Sequence, residues 1–541
     1  MVLKRNWSKI LLLSLCVFIF TACSSNEDVS EETVDGKTTM KVFMPDYTER
    51  DLDTNSFTAF VEDEFDLNLE FETTSYDTSA AKERRQISLS SGDYPDVYFL
   101  IPWVDQFSAN DMLRYGKQGV LLPLNDLIKE HAPNLQQVLD SDDEYRALAT
   151  APDGNIYGIP QLIECFHCTW PNKLWMNSTW LDNLNLEAPK THEEFRDVLR
   201  AFKDDDPNGN GSNDEIPFSG SISIAQHSVI PFLMNGFVYD DAKTRLAVDN
   251  DQVSFVATSD EWKQGLEYIH ELYEEGLIDP GAFTQNAEAY TQLGSNADEV
   301  ILGAGPSMHP NEFANNDNSL EYDALAPLQG PNAAYSTYKY PIEQGATFAI
   351  TNKASEDVQV KAIQLLDYMF TTEGSLRSMY GEEGESWEEA KDGDVAINED
   401  VEAQIKELHP EDEPNSNWGA SAQYYHPVEF RDSWVQAEDI YTQEGYERRL
   451  QEATYLYADA EPEQVFPYWS VWFDEIVQEE VATLETNIKT NVEQSAVRFI
   501  VGELDFEKDW DSYLSGLESL GVDRYVEIMQ EAYDEYRATV N

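Results

Sequence analysis

Basic residues are scarce in this chain: 35 lysines and arginines stand against 103 aspartates and glutamates, a net charge of -68 over 541 residues. An acidic excess of that size makes nucleic acid and anionic membrane surfaces poor partners. The self-repulsion is best tolerated where salt screens it, which fits saline or alkaline surroundings. Histidine is sparse as well, with 8 scattered residues that form no metal-catalytic cluster. The chain has no G-x-S-x-G, H-E-x-x-H, P-loop or G-x-G-x-x-G element, so the signatures of serine hydrolases, zinc proteases and nucleotide binders are missing. Glycoside hydrolysis needs only two carboxylates, and among so many acids a chance pair says nothing.

Long apolar runs are missing too, apart from Ile10 to Phe20. That run follows Lys4, Arg5 and Lys9, is short for a membrane span, and ends in Phe20-Thr21-Ala22-Cys23. This is the layout of a lipoprotein signal peptide over 1–22, with Cys23 becoming the acylated (palmitate-bearing) N-terminus and 23–38 a polar tether. Phe20 departs from the usual leucine. Of the 4 cysteines, Cys16 leaves with the leader and Cys23 takes the lipid, so only Cys165-Phe166-His167-Cys168 remains. Outside the cell a C-x-x-C pair is most simply a local disulfide; a free redox dithiol and a Cys/His metal site are the alternatives.

The segment Asp206-Pro207-Asn208-Gly209-Asn210-Gly211-Ser212-Asn213-Asp214-Glu215-Ile216-Pro217 carries the most chemistry. Oxygen-bearing side chains alternate at 206, 208 and 210, with glycines at 209 and 211 for tight turns, which is how a short loop wraps a hard cation such as calcium. Asp206, Asn208, Asn210, the Ser212 carbonyl, Asp214 and Glu215 form the expected ligand set for a structural Ca2+. An EF-hand places its bidentate Glu at loop position 12, where this chain has Pro217, so the loop departs from that pattern. The alternative is an acidic Asn/Gly turn.

Strand-like and helical stretches alternate: Thr39 to Met44, Ser56 to Phe65, Leu67 to Thr73, Ala80 to Leu89 and Val97 to Ile101 read as βαβαβ. A second such region starts near Leu174 and includes a helix Glu193 to Lys203, a strand Val253 to Ala257 and a helix Asp260 to Glu274. Phe348 to Thr351 and Ser355 to Phe370 return to the first, and helices Glu463 to Glu485 and Gly521 to Arg537 end the chain. The fold class is α/β with parallel sheets flanked by helices. The acid-rich stretch Glu382 to Glu413 is a solvated excursion.

Leu174-Trp175-Met176-Asn177, Trp180-Leu181, Pro189-Lys190-Thr191, Phe195, Leu199 and Phe202-Lys203, running into the Asp206 loop, form an ordered series of landmarks. Ser91 to Val97, Gly119 to Leu124, Asp153 to Pro160, Phe499 to Glu503, Trp510-Asp511 and Ala532-Tyr533 extend it. The series resembles bacterial family 1 extracellular solute-binding proteins, specifically the large oligosaccharide-binding lipoproteins that include alginate-oligosaccharide binders and LplA-like proteins. The segment from about 375 to 465 matches least. The resemblance implies a two-lobe type II binding-protein fold, with 39–163 and about 342–415 in an N-terminal lobe. The C-terminal lobe takes 164–341 and about 416–541. It also implies a monomer on the outer face of the cell membrane that captures an oligosaccharide and delivers it to an ABC permease, without catalysis.

Ligands of two-lobe folds bind in the cleft, facing loops beyond the carboxyl ends of strands. Asp46, Tyr47 and Trp103 follow strands of the first lobe, and Trp170 and Trp175 flank the first crossing. Tyr338 and Tyr340, with Tyr335, lie near a second crossing; Trp418, Tyr424 and Tyr425 sit in a polar segment. These are the expected ligand contacts, since aromatic faces stack on sugar C–H faces. Trp180, Trp510 and Tyr533 read as core. Arg84, Arg85 and Arg431 are the cations to watch for an acidic sugar, but an uncharged oligosaccharide suits the acidic field better. Two other functions compete: a calcium-dependent polysaccharide hydrolase or lyase, and a calcium-stabilised surface adhesin.

Overall fold

The computed structural model describes residues 33–34, 36–46, 50–296, 300–342, 344–408 and 415–540. The leader, Cys23, most of the tether and Tyr47 lie outside them. The strand Lys37–Pro45 is nearly all buried, as a strand covered on both faces must be. It pairs in parallel with Leu67–Thr74 on one side and Val97–Phe99 on the other, and Phe348–Ile350 closes the sheet antiparallel to Val97–Phe99. Parallel neighbours need crossovers, and the helices Ser56–Glu64 and Thr78–Ser91 supply them. Asn55 caps the first, its side-chain oxygen accepting from Phe57 and Thr58 N–H at 3.0 and 3.2 Å. Gly92, at φ 79°, ends the second with the left-handed turn that suits glycine. Val42, Phe99, Phe348 and Ile350 pack against Leu365 and Leu366 of the helix Glu356–Met369 to make the first core.

The second sheet departs from expectation. Lys173–Asn177 lies between Ala304–Ser307 and Tyr322–Leu325, antiparallel to both. Among the described residues, parallel pairing appears beside it as isolated bridges, Ile216 with Leu302, Phe218 with Ile278 and Thr191 with Gln329. The expected strand at Val253 is Gln252–Phe255, a two-stranded ribbon with Leu246–Asp249.

The helix His192–Asp204 shows how sequence sets an element. Thr191 caps it by accepting from Glu194 N–H at 3.2 Å, Glu193 and Glu194 occupy the positive first turn, and Lys203 sits in the last. Phe195, Val198, Leu199 and Phe202 recur at helical spacing and are buried in the second core, each worth roughly 1.5–3 kcal/mol against exposure. The same core takes Trp180, Trp510 and Tyr533, and the C-terminal helices Glu475–Ile500, Trp510–Ser519 and Val522–Val540. The helix expected from Glu463 starts only at Glu475. Pro467 removes an N–H from the intended ladder and leaves 467–474 to reach across to the first lobe instead.

The segment after 415 corrects the expected boundary between lobes. Trp418 is fully buried in the first core, meeting Phe57, Phe71 and Phe99 edge-on at 4.9, 5.7 and 5.8 Å, and Tyr424 packs on Phe99 and Phe348 beside it. Tyr425–His426 pairs in parallel with Leu162–Ile163.

His192 is buried, stacked on Tyr268 at 4.7 Å with both ring nitrogens lacking a hydrogen-bond partner. Burial brings its pKa down to about 4. Because the folded value lies below the ordinary one, the neutral ring's contribution is complete above pH 6.5 and is lost as pH falls toward 4. Denaturation midpoints measured from pH 7 to 4 are expected to record a loss on the order of 3 kcal/mol from this group. His192→Phe, which keeps a ring on Tyr268, should flatten that part of the profile; an unchanged slope would remove the assignment.

Candidate functional site

A cavity of about 680 Å³ opens where strands of both sheets end, within the range of small-ligand sites. Pro102, Trp103 and Gln106 reach it from the loop beyond Val97–Phe99. Because Phe348–Ile350 runs antiparallel to that strand, the residues leading into it, Pro341 and Ile342, arrive at the same rim. Asn172 stands just before Lys173–Asn177 and Met308 just after Ala304–Ser307, so the second sheet contributes by the same logic. The crossings supply Gln161, Thr337 and Lys339. A second chamber of about 380 Å³ shares Lys243, Lys339, Ile342 and Tyr468 with the first and adds Tyr340 and Trp469, whose rings stack at 5.8 Å.

The chemistry of the wall is specific. Gln106 Oε1, Gln161 Oε1 and Asn172 Oδ1 are buried acceptors with no partner. Their orientation is fixed where the amide nitrogens are spent on backbone: Gln161 donates to Ala420 O at 2.7 Å, and Asn172 to Gln226 O at 2.9 Å. Buried polar atoms are seldom left unsatisfied, so these acceptors stand out in the wall. Trp103 is 55% exposed, a large apolar face on the wall.

Two turns hold the remaining groups. Asp241's carboxylate accepts from Lys243, Thr244 and Arg245 N–H at 3.0, 2.8 and 2.7 Å, knotting a turn in which Ala242 and Arg245 take left-handed φ of 61° and 56°. Beside it, burial pushes Asp240 up to about 6 against the pull of Arg245. Cys165 and Cys168, also on the wall, are bridged to each other. Lys173 braces their turn, donating to His167 O and Trp170 O at 2.7 and 2.6 Å, and burial brings its pKa down to about 7. Cys165, His167 and Cys168 lie close enough for a metal, but the bridged sulfurs are not thiolate ligands.

Of the aromatic residues expected at the ligand, Trp103 reaches the main chamber and Tyr340 the second. Trp175, Trp418 and Tyr424 are core instead, at 1% exposure or less, because each falls on or behind a sheet. Trp170 is buried, donating to Glu461 at 3.0 Å and meeting Tyr338 at 5.9 Å. Tyr338 in turn packs on Trp469, Tyr335 on Tyr239 and Tyr425 on Phe370. Asp46 pairs with Arg50 at 3.4 Å away from the main chamber, in a separate groove of the first lobe. Arg84, Arg85 and Arg431 are engaged with Glu72, Asp105 and Glu447, so none of them lines the cavity. The wall residues that sequence reasoning passed over, Gln161, Asn172, Lys243 and Lys339, are polar and small in number, and nothing in their spacing marks them.

The Asp206 loop lies apart from the cavity. Asn183 donates to Pro207 O at 2.9 Å, and Ile216 N–H donates to Ile301 O at 2.7 Å, which ties the loop to the second sheet. Gly209 and Gly211 take φ of 73° and 75°. Asp206 Oδ1 and both Glu215 oxygens are buried without a partner, and burial, then Asp214 and Asp206, raise the Glu215 pKa. Unsatisfied carboxylate oxygens crowded by their own charge are a donor set that fits a hard divalent cation. Asn208 and Asn210 oxygens accept from Asn210 and Ser212 N–H at 3.1 and 2.6 Å, holding the loop's curl.

Comparison with known proteins gives consistent relatives. A sequence model of bacterial extracellular solute-binding proteins matches residues 48–375. The fructooligosaccharide ABC transporter substrate-binding protein FusA of Streptococcus pneumoniae serotype 4 is 29% identical over 497 residues, 88% of this chain and 87% of FusA. A structure of the FusA EF-hand mutant in complex with fructo-nystose superposes with a TM-score of 0.69 at 27% identity, covering 92% of this chain and 99% of that one. An extracellular solute-binding protein from Bifidobacterium longum subsp. infantis shares the fold, with a TM-score of 0.76 at 20% identity and coverage of 93% and 99%. These relatives are binding proteins rather than enzymes.

Proposed function

The chain belongs to the bacterial extracellular solute-binding proteins, and from that membership we propose that it captures an oligosaccharide between its lobes and hands it to an ABC-type importer. The observation that carries this reading is a cavity whose wall sets the exposed ring of Trp103 beside the amide side chains of Gln106, Gln161 and Asn172, whose buried oxygens have no hydrogen-bond partner. Sugar hydroxyls would satisfy the acceptors while a sugar C–H face covers the indole. The lobes, divided near 163, near 342 and beyond 426, would close on the ligand, and the closed monomer would present itself to the permease. Cys23 would carry the acyl anchor outside the cell. No helix among the described residues is long and apolar enough to cross a membrane. The Asp206 loop would hold a structural calcium through Asp206, Asn208, Asn210, the Ser212 carbonyl, Asp214 and Glu215.

Titration calorimetry of the mature protein against an oligosaccharide panel, beginning with fructooligosaccharides because FusA is named for them, tests the reading. Stoichiometric binding without product is expected. In Trp103→Ala the loss of one aromatic anchor should cost roughly 2 kcal/mol, about thirtyfold in Kd. New reducing ends, or no binding by any saccharide, would overturn it.

A further inference from the structure

We propose that the captured oligosaccharide runs on from the main chamber into the second, where Tyr340 is a further sugar platform and Glu144 its positioning residue. The inference rests on the oligosaccharide-capture reading and adds a chain-length requirement to it.

Three hydrogen bonds that meet on one carboxylate carry it. Glu144 belongs to the short helix Asp143–Ala149, whose Tyr145, Leu148 and Ala149 are packed in the first core. Its Oε1 accepts from the Trp469 indole N–H at 2.9 Å and from the Ser470 hydroxyl at 2.6 Å, and its Oε2 accepts from the Tyr536 hydroxyl at 3.0 Å. A further bond, from Trp472 Nε1 to Ala147 O at 3.2 Å, pins the same segment to that helix. Hydrogen bonds to a carboxylate are the stronger ones, and here they fix an indole. Trp469 is 8% exposed, its ring stacked on that of Tyr340 with the planes 19° apart. Tyr340 is half-buried and lines the second chamber. The order is carboxylate, indole, phenol, chamber, so the ring at the wall is braced from behind.

The second chamber lies between the lobes as the first does. Ser108 and Asn110 line it from the first lobe, and Tyr525 and Met529 from the last helix of the second. Two of its lining residues, Gln344 and Tyr525, have a buried amide nitrogen and a buried hydroxyl without a hydrogen-bond partner. The partnerless atoms in the main wall are acceptors, so the two walls together match a hydroxyl, which both donates and accepts. Because Ile342 and Tyr468 line both chambers, the two are neighbours, with Trp103 in one and Tyr340 in the other. A sugar chain that ended in the main chamber would leave Tyr340 uncovered; a longer one would lay a C–H face on it.

A length series tests this: sucrose, kestose, nystose and fructo-nystose, with malto-, xylo- and galacto-oligosaccharides from di- to pentasaccharide beside them, each Kd measured by calorimetry on the mature protein. In the class that binds, the longest member is expected to bind at least about tenfold more tightly than the shortest that binds, the effect of one added aromatic anchor. Tyr340→Ala should remove that gain and leave the shortest member's affinity within about twofold. Glu144→Leu should do the same, whereas Glu144→Gln should keep the gain, because an amide oxygen still accepts from Trp469 and Ser470 and the amide nitrogen can donate to the Tyr536 hydroxyl. A Glu144 that served the fold alone would weaken every length alike. If Glu144→Leu does not fold, the wild-type series and Tyr340→Ala decide. Equal affinity at every length, or a Tyr340→Ala variant that loses as much on the shortest member as on the longest, overturns the inference and leaves capture intact. Failure of every saccharide to bind overturns both.

Discussion

Arg85→Ala is expected to remove about 3 to 5 kcal/mol of stability, the usual cost of stranding one member of a buried ion pair. Arg85 is 1% exposed and donates to both oxygens of Asp105, at 2.6 and 2.9 Å. A third bond runs from its Nη2 to Gln106 O at 3.0 Å, and the guanidinium lies 4.4 Å from the Phe107 ring centre. With the arginine gone, Asp105 would remain as a buried carboxylate without its counter-charge, and that desolvated charge, more than the lost bonds, sets the cost. The turn it anchors runs from Ile101 to Phe107, closed by Asp105 N–H donating to Ile101 O at 2.9 Å, and it carries Trp103 and Gln106 to the cavity. Surviving folded protein should therefore bind sugar more weakly as well. Replacing both partners by apolar residues, Arg85→Met with Asp105→Leu, should recover most of the stability, because no charge is then left behind. Urea denaturation of the two singles and the double decides: a single variant within about 1 kcal/mol of wild type is what an exposed pair would give and would refute this account.

Arg85 also shows what the sequence could and could not convey. A helix over Ala80 to Leu89 is legible from spacing, but whether Arg85 turns toward a ligand or inward depends on Asp105, twenty residues on, which no local pattern announces. The first sheet was legible because Lys37–Pro45 and Val97–Phe99 are buried on both faces and read as largely apolar runs, while Leu67–Thr74 alternates as a half-buried strand does. The second was not, because Ala304–Ser307 and Tyr322–Leu325 are short and carry Gly305, Pro306 and Asp323, so neither has a strand's periodicity. Trp418 looked exposed because Asn415, Asn417 and Gly419 surround it. Yet its indole N–H donates to Thr58 Oγ1 at 2.9 Å inside the first core, and the polar neighbours serve as caps and turns. Position at a strand's carboxyl end did locate Trp103. Side chains held by long-range turns, such as Lys243 and Asn172, could only be placed once the fold had brought their loops together.

Chelation of divalent cations is expected to lower the melting temperature strongly while leaving sugar affinity of the folded protein nearly unchanged. A ligand present at a thousand times its Kd stabilises the folded state by about 4.1 kcal/mol, so a calcium site of ordinary affinity in a calcium-rich exterior contributes on that scale. The loop's residues lie off the cavity wall, and its link to the site runs through the Ile216–Leu302 bridge and the strand beyond, a connection that transmits support rather than contact. Charge gives the argument a sign that turn geometry alone lacks. Without an ion, the buried oxygens of Asp206 and Glu215 repel each other, so Glu215→Gln should make the metal-free protein slightly more stable while weakening or abolishing the rise in melting temperature that calcium produces. An acidic turn that binds nothing would respond to neither chelator nor calcium, and Glu215→Gln would then shift the melting point equally with and without the ion. Scanning calorimetry in chelator, calcium and magnesium, on wild type and this variant, separates the two. A melting temperature indifferent to chelator would exclude the ion, and a collapse of sugar affinity in protein that still melts normally would place the ion's role in the cleft.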